Sequence, residues 1–289
     1  MSSTRHEEIL DYYLSKAERY TDTEIARNKK EILNNVINDR EAKNIRNFYP
    51  KPEDLQSLPE DSRLIKISFT LKKPYTSRDE GEFHIIDGKI FENPIVRDKF
   101  TGLPMVRPST WKGHLRFAAG RVDEINGKKL DERTRSEIVR RLFGSESDDE
   151  NALKGRLYFF PTFFEEEAGR DVITPLKRDT RTPARGPISL EVMKAKSKGE
   201  FYLLYIPYPK GENFKEEQIE EDLRFVAEAL KQMFYTYGFS AKKTSGFGVI
   251  EPLKEVDVQV YPEEREEIFS SIYVKSNGFS SEGNRNEAD

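Results

Sequence analysis

Two stretches of this chain combine cations, hydroxyls and glycines at spacings suited to holding phosphate. In the first, a Thr101-Gly102 turn follows Arg97-Asp98 and leads through Leu103-Pro104 to Arg107-Pro108-Ser109-Thr110-Trp111-Lys112-Gly113-His114-Leu115-Arg116. Pro-Ser-Thr starts a helix, and a helix N-terminus offers free backbone N–H groups and a partial positive charge, for which phosphate is a natural ligand. Lys112 and Arg116 are four apart, so they share one helical face and can follow a sugar–phosphate backbone. The alternative is a capped helix with solvated cations. In the second stretch, Lys242-Lys243-Thr244-Ser245-Gly246-Phe247-Gly248, glycines flank an aromatic after a basic pair. Such a loop lets a phosphodiester approach the main chain closely, unless it is a plain turn between helix and strand. It is not a Walker A loop, because no Lys-Ser/Thr pair closes a Gly-x4-Gly frame.

Other reactive groups are sparse. With no cysteine there is no disulfide, thiolate metal site or cysteine nucleophile. His6, His84 and His114 are too scattered for metal-ligand spacing. His84, in a loop, is a candidate acid or base, and His114 reads as an ordinary helix-face residue.

The elements that must position these groups follow from periodicity. Residues 4–48 read as two helices, and three prolines in 50–59 mark a linker. Ile65, Ile67, Phe69 and Leu71 alternate with Lys66, Ser68 and Thr70, a strand with one buried face. A loop region runs from 72 to 107, and then Trp111, Leu115, Ala118, Ala119 and Val122 continue an amphipathic helix. A second helical stretch, 132–143, ends at Gly144. Strands are expected at 157–164, 188–193 and 201–206, with 169–186 between them as a projecting hairpin or loop. Ile219, Leu223, Val226, Leu230, Met233 and Tyr237 give the best helix, closed by Gly238. A last strand is expected through Val249 and Ile250 and on towards Val260. Stripped of insertions the order is strand, helix, strand, strand, helix, strand. That is an α+β class, the ferredoxin-like (RRM-like) βαββαβ core, with long insertions, a hairpin and an N-terminal helical extension.

Composition limits the rest. Hydrophobic residues are 36% and charged residues 35%, polar but well able to fold given 19 Phe and 13 Tyr. No apolar run reaches membrane-spanning length and the first residues lack a signal peptide's apolar stretch, so a cytoplasmic protein is expected. The net charge of −4 counts mildly against nucleic acid, but it conceals segregation. Arg97, Lys99, Arg107, Lys112, Arg116 and Arg121 lie in a stretch whose sole acid is Asp98, whereas acids gather at 146–150, 165–167 and 263–267. Such a surface can hold a polyanion on one face and stay soluble.

Taken together and in order, these motifs resemble the RAMP superfamily, the backbone proteins of type III CRISPR–Cas RNA-guided effector complexes. The family's stretch before the first helix, its Leu-Pro, and its Pro-Gly-Ser-Ser-Leu-Lys-Gly-x-Leu-Arg stand here as 92–98, Leu103-Pro104 and 107–116; the Gly-Phe-Gly loop follows near the end. The likeness runs from about Arg63 to Val260. It implies a backbone subunit in antiviral defence that binds guide RNA, positions target RNA, and contacts other effector-complex subunits, including copies of itself, away from any membrane. Arg97, Arg107, Ser109, Thr110, Lys112, Arg116, Lys242, Lys243, Ser245, Gly246, Phe247 and Gly248 would then contact RNA. The segment 169–186 would be the family's thumb, with Ile173 or Leu176 as the wedge between bases and Arg178, Arg181 and Arg185 on phosphates.

Two departures from the family pattern bear on activity. Ser109 and Trp111 stand where the family has glycine and an aliphatic residue, and a Trp there either fills the core or stacks on a base. Target-cleaving members carry an aspartate five residues before the arginine, where this chain has Glu92. Glutamate can hold Mg²⁺, but its extra methylene displaces the carboxylate, and a shift of about 1 Å can cost a hundredfold in rate. A metal-dependent endoribonuclease using Glu92, with Asp98 as the fallback carboxylate, is therefore one alternative. A metal-independent guide-processing nuclease using His84 with Tyr or Lys is another. Binding requires no cofactor. The expected divisions are a helical extension at 1–60, a core at 61–262 with its thumb at about 165–187, and an acidic, disordered tail at 263–289.

Overall fold

The computed structural model describes residues 49–77, 95–98, 101, 103–145, 152–174, 177, 179–180, 182–184, 186–210 and 214–273. The helices expected within 4–48 lie outside the described residues, as do His6, His84, Glu92, Leu176, Arg178, Arg181 and Arg185.

The described elements are, in chain order, β1 (Arg63–Thr70), β2 (Met105–Val106), α1 (Pro108–Ala119), β3 (Glu124–Ile125), β4 (Lys128–Lys129), α2 (Glu132–Phe143), β5 (Leu157–Phe159), β6 (Thr162–Phe163), β7 (Gly169–Ile173), β8 (Ile188–Val192), β9 (Lys198–Tyr205), α3 (Glu217–Gln232) and β10 (Val258–Tyr261). The main sheet has the order β10-β1-β9-β5, and every neighbouring pair is antiparallel. The central pair β1–β9 runs in unbroken register from Arg63 opposite Tyr205 to Thr70 opposite Lys198.

Alternation assigns the two faces of this sheet. Ile65, Ile67, Phe69, Phe201, Leu203 and Tyr205 point into the main core, where they meet Trp111 and Leu115 of α1 and Leu223, Val226 and Leu230 of α3. Leu64, Tyr202 and Leu204 point the other way, into a smaller apolar cluster with Tyr49, Leu103 and Phe163. The Tyr49 ring stacks on Tyr202 with centroids 4.5 Å apart, and its hydroxyl accepts the Phe163 N–H at 3.1 Å. The second face of the sheet is thus partly covered by the chain's own residues. A buried ion cluster ties α3 to the sheet. Asp222, fully buried, accepts from Arg141 Nε at 2.5 Å, from Arg156 at 2.7 Å and from the Tyr205 hydroxyl at 2.9 Å. The same Arg141 is also paired with Glu221.

Several boundaries differ from expectation. The 157–164 strand is two: after β5 the chain passes Pro161 and leaves the main sheet, so that β6 pairs with β2. The 188–193 strand is β8, which pairs with β7 as a separate hairpin rather than joining the main sheet. At the end, Ile250 makes only a bridge to Leu71, and the fourth strand of the sheet is Val258–Tyr261. Residues 263–273 are not a disordered tail, because Ile268, Phe269 and Ile272 are buried in the main core. Likewise the packed unit begins at least at Tyr49, ahead of the expected boundary at 61.

Candidate nucleic-acid interface

Helix α1 presents the first motif. Pro108 occupies its first turn, where a missing N–H costs nothing, and Arg107 precedes it in an extended conformation. Trp111, Leu115, Ala118 and Ala119 form the buried stripe. Trp111 is core: its ring packs against Phe239 and Phe201, and its indole N–H donates to Thr162 at 3.1 Å. That leaves Arg107, Ser109, Lys112 and Arg116 exposed and Thr110 half-buried. The helix contains no acidic residue, so the charges on its outer face are all cationic.

The Lys242–Gly248 loop lies directly beside this helix. The Lys243 ammonium is 3.7 Å from the centre of the Phe117 ring, one turn beyond Gly113 on α1. His114 lies in the same corner: burial first, and the neighbouring Lys243 charge second, hold its pKa down at about 4. Lys243 is itself lowered by burial and by Arg121. Residues far apart in sequence therefore build one continuous basic strip.

The glycines of the loop serve different ends. Gly246 (φ 75°) has open space where a side chain would stand. At Gly248 (φ 78°) a Cβ would lie 2.6 Å from the Ser240 nitrogen, and at Gly238 (φ 71°) it would lie 2.4 Å from the Phe247 oxygen. These two let the strands of the loop cross, with the Phe239 N–H bonded to the Gly248 carbonyl at 3.1 Å. Only Gly246 leaves main chain open to an approaching ligand. Phe247 is turned inward, 8% exposed, and packs with Leu190, Val192, Ile173 and Ile188. Its ring anchors the root of the β7–β8 hairpin rather than offering a surface for a base. Ile173, half-buried, pairs with Ile188 in that hairpin.

The remaining expected residues are drawn into the scaffold. Arg97 is buried and ion-paired with Glu191 of β8. One oxygen of Asp98 accepts both the N–H and the hydroxyl of Thr101 at 2.8 Å, which closes the turn before β2. Sequence reading counted Arg121 in the basic stretch but named neither it nor Phe117 as an RNA contact, although Gly113, Phe117 and Arg121 recur at spacings of four. Among the described residues no group of three His, Asp or Glu side chains is placed to hold a metal ion. No described helix is long and apolar enough to cross a membrane.

A curated relative, the CRISPR system Cms endoribonuclease Csm3 of Streptococcus thermophilus, is 28% identical over 179 residues, covering 58% of this chain and 78% of that protein. Among solved structures, a chain of the type III-B Cmr-beta complex bound to cognate target RNA matches with a TM-score of 0.49 at 17% identity, covering 84% of this chain and 77% of that one. The family model of the RAMP superfamily matches residues 81–251, more than half of the sequence and a span that holds both basic motifs, and the chain belongs to that superfamily.

Proposed function

We propose that this chain is a backbone subunit of a type III CRISPR effector complex, one that holds guide RNA along α1 and the Lys242–Gly248 loop and presents the RNA target beside them. The core is read as ferredoxin-like, in keeping with four antiparallel strands in the order β10-β1-β9-β5 and with α1 and α3 on one face. The observation that carries the reading is the 3.7 Å approach of Lys243 to Phe117, which makes one acid-free strip of two distant motifs. Exposed cations on a helix bind a polyanion by neutralising phosphates, so affinity is independent of sequence and falls with salt. The β7–β8 hairpin, rooted on Phe247, is the thumb in this reading, with other effector-complex subunits and copies of itself as neighbours along the RNA.

Lys112→Ala combined with Arg116→Ala tests the assignment. Loss of at least tenfold in affinity for an unstructured single-stranded RNA at about 0.1 M salt supports it. Unchanged binding removes that face from the interface.

A second reading, metal-dependent cleavage of the target through Glu92, is favoured by likeness to a relative that is an endoribonuclease. Mg²⁺ would be its cofactor. The direct comparison is target cleavage by the wild type and by Glu92→Ala in Mg²⁺. Equal rates clear Glu92 of the role.

A further inference from the structure

Phe117 carries two cations. The Arg121 guanidinium carbon is 3.6 Å from its ring centre and the Lys243 ammonium 3.7 Å, while Tyr237 meets the ring edge-on at 5.3 Å. Those two distances bound the separation of the charges at about 7 Å, close enough for like charges in a partly buried setting to repel appreciably. Among the described residues neither cation is paired with a carboxylate. In the free protein the arrangement is sustained by the ring face, which attracts both cations. An anion bridging the two relieves that repulsion.

Arg121 also offsets what would oppose that ligand at this position. The C-terminal end of a helix repels anions, because its last carbonyls are unsatisfied. Here the exposed Arg121 donates to the Phe117 carbonyl at 2.9 Å, which covers one of those oxygens. Lys112 lies roughly 13 Å away along the helix direction and about half a turn round its axis.

We infer that Arg121 and Lys243, held in place by Phe117, form a seat for a phosphodiester of single-stranded RNA at the end of α1. This inference rests on the RNA-binding reading above and adds two residues to it: Arg121 as a direct contact and Phe117 as the positioning residue.

Fluorescence anisotropy of a labelled uridine 20-mer, titrated between 50 and 300 mM salt, tests the seat on the full chain. Removing one phosphate contact reduces the slope of log affinity against log salt by about 0.7 for a single strand, so Arg121→Gln is expected to lose that much slope. Its affinity is expected to fall about tenfold at 0.1 M salt. Phe117→Leu is expected to weaken binding similarly, and Phe117→Trp, which keeps an aromatic face for the cations, to restore it. If the wild type binds and Arg121→Gln shows the same slope and affinity, the seat is overturned while the RNA-binding reading stands. A wild type that fails to bind the 20-mer overturns both.

Discussion

Glu191, in the root of the β7–β8 hairpin, is ion-paired with Arg97, and the two side chains are only 11% and 5% exposed. Its second carboxylate oxygen accepts the Ile95 N–H at 2.9 Å. The Glu191 carbonyl takes the Thr76 hydroxyl at 2.8 Å, and Thr76 is bonded in turn to Ser240 at the start of the basic loop. One acidic residue thus fastens the hairpin, the segment after Glu92 and the loop beside α1 into a single block.

Removing one partner of a buried pair strands the other charge and costs about 3–5 kcal/mol. Glu191→Ala is expected to lower unfolding stability by that amount. Glu191→Gln, which still accepts the Ile95 N–H, is expected to lose less. Denaturant titration of the three proteins gives the order directly.

The buried cluster around Asp222 predicts a loss confined to stability. Asp222→Asn leaves Arg156 facing a neutral group in the interior and Arg141 with Glu221 as its remaining carboxylate, at a cost of about 3–5 kcal/mol. RNA affinity measured well below the unfolding temperature is expected to stay at the wild-type value, because this cluster lies among α2, α3 and the main sheet. A large change in affinity would show that it communicates with the basic strip.

Much of this was legible in the sequence, for reasons that differ by element. Ile65, Ile67 and Phe69 alternate strictly, and Ile219 to Leu230 recur at helical spacing, so the central strand and the longest helix declared themselves. The basic character of α1 was equally plain, since Lys112 and Arg116 flank an apolar stripe without any acid. Partnership between distant strands was not legible. The pattern at 188–193 reads the same in a hairpin as in a central sheet, and Ile250 continues an apolar alternation that the sheet takes up only at Val258. Nor does sequence disclose which way a ring points. Phe247 sits in a motif expected to contact RNA, yet the apolar residues of β8 gave it a burial partner. Phe117 was overlooked for the opposite reason, because its role depends on a lysine more than a hundred residues away.

His114 predicts a pH dependence. Its pKa in the folded protein, about 4, lies below the ordinary value of 6.5 because burial and Lys243 disfavour its charge. Between those values the unfolded chain binds more protons than the folded one, so stability rises with pH through about 4 to 6.5 and is level above. The His114 contribution to that slope is at most about 3 kcal/mol, reduced by solvent reaching its exposed part. His114→Gln is expected to flatten the rise seen in thermal unfolding across this window. An unchanged slope would place the titration elsewhere.

The two glycines of the loop are expected to respond differently to alanine. Both have positive φ, which costs an alanine about 1–2 kcal/mol. Gly246→Ala enters open space and should cost no more than that, whereas Gly248→Ala must also displace the Ser240 main chain. Gly248→Ala should therefore be the more destabilised by at least about 1 kcal/mol, and thermal melts of the pair decide it.

The central claim is that RNA lies along α1 and the Lys242–Gly248 loop rather than on the sheet face that Tyr49 covers. Photocrosslinking of a 4-thiouridine-substituted RNA to the full chain, read by mass spectrometry, tests it most directly. Crosslinks in peptides spanning 107–121 and 242–246 together are the predicted result. Crosslinks concentrated on Lys66, Tyr202 and Tyr261, with none in either basic stretch, would contradict it.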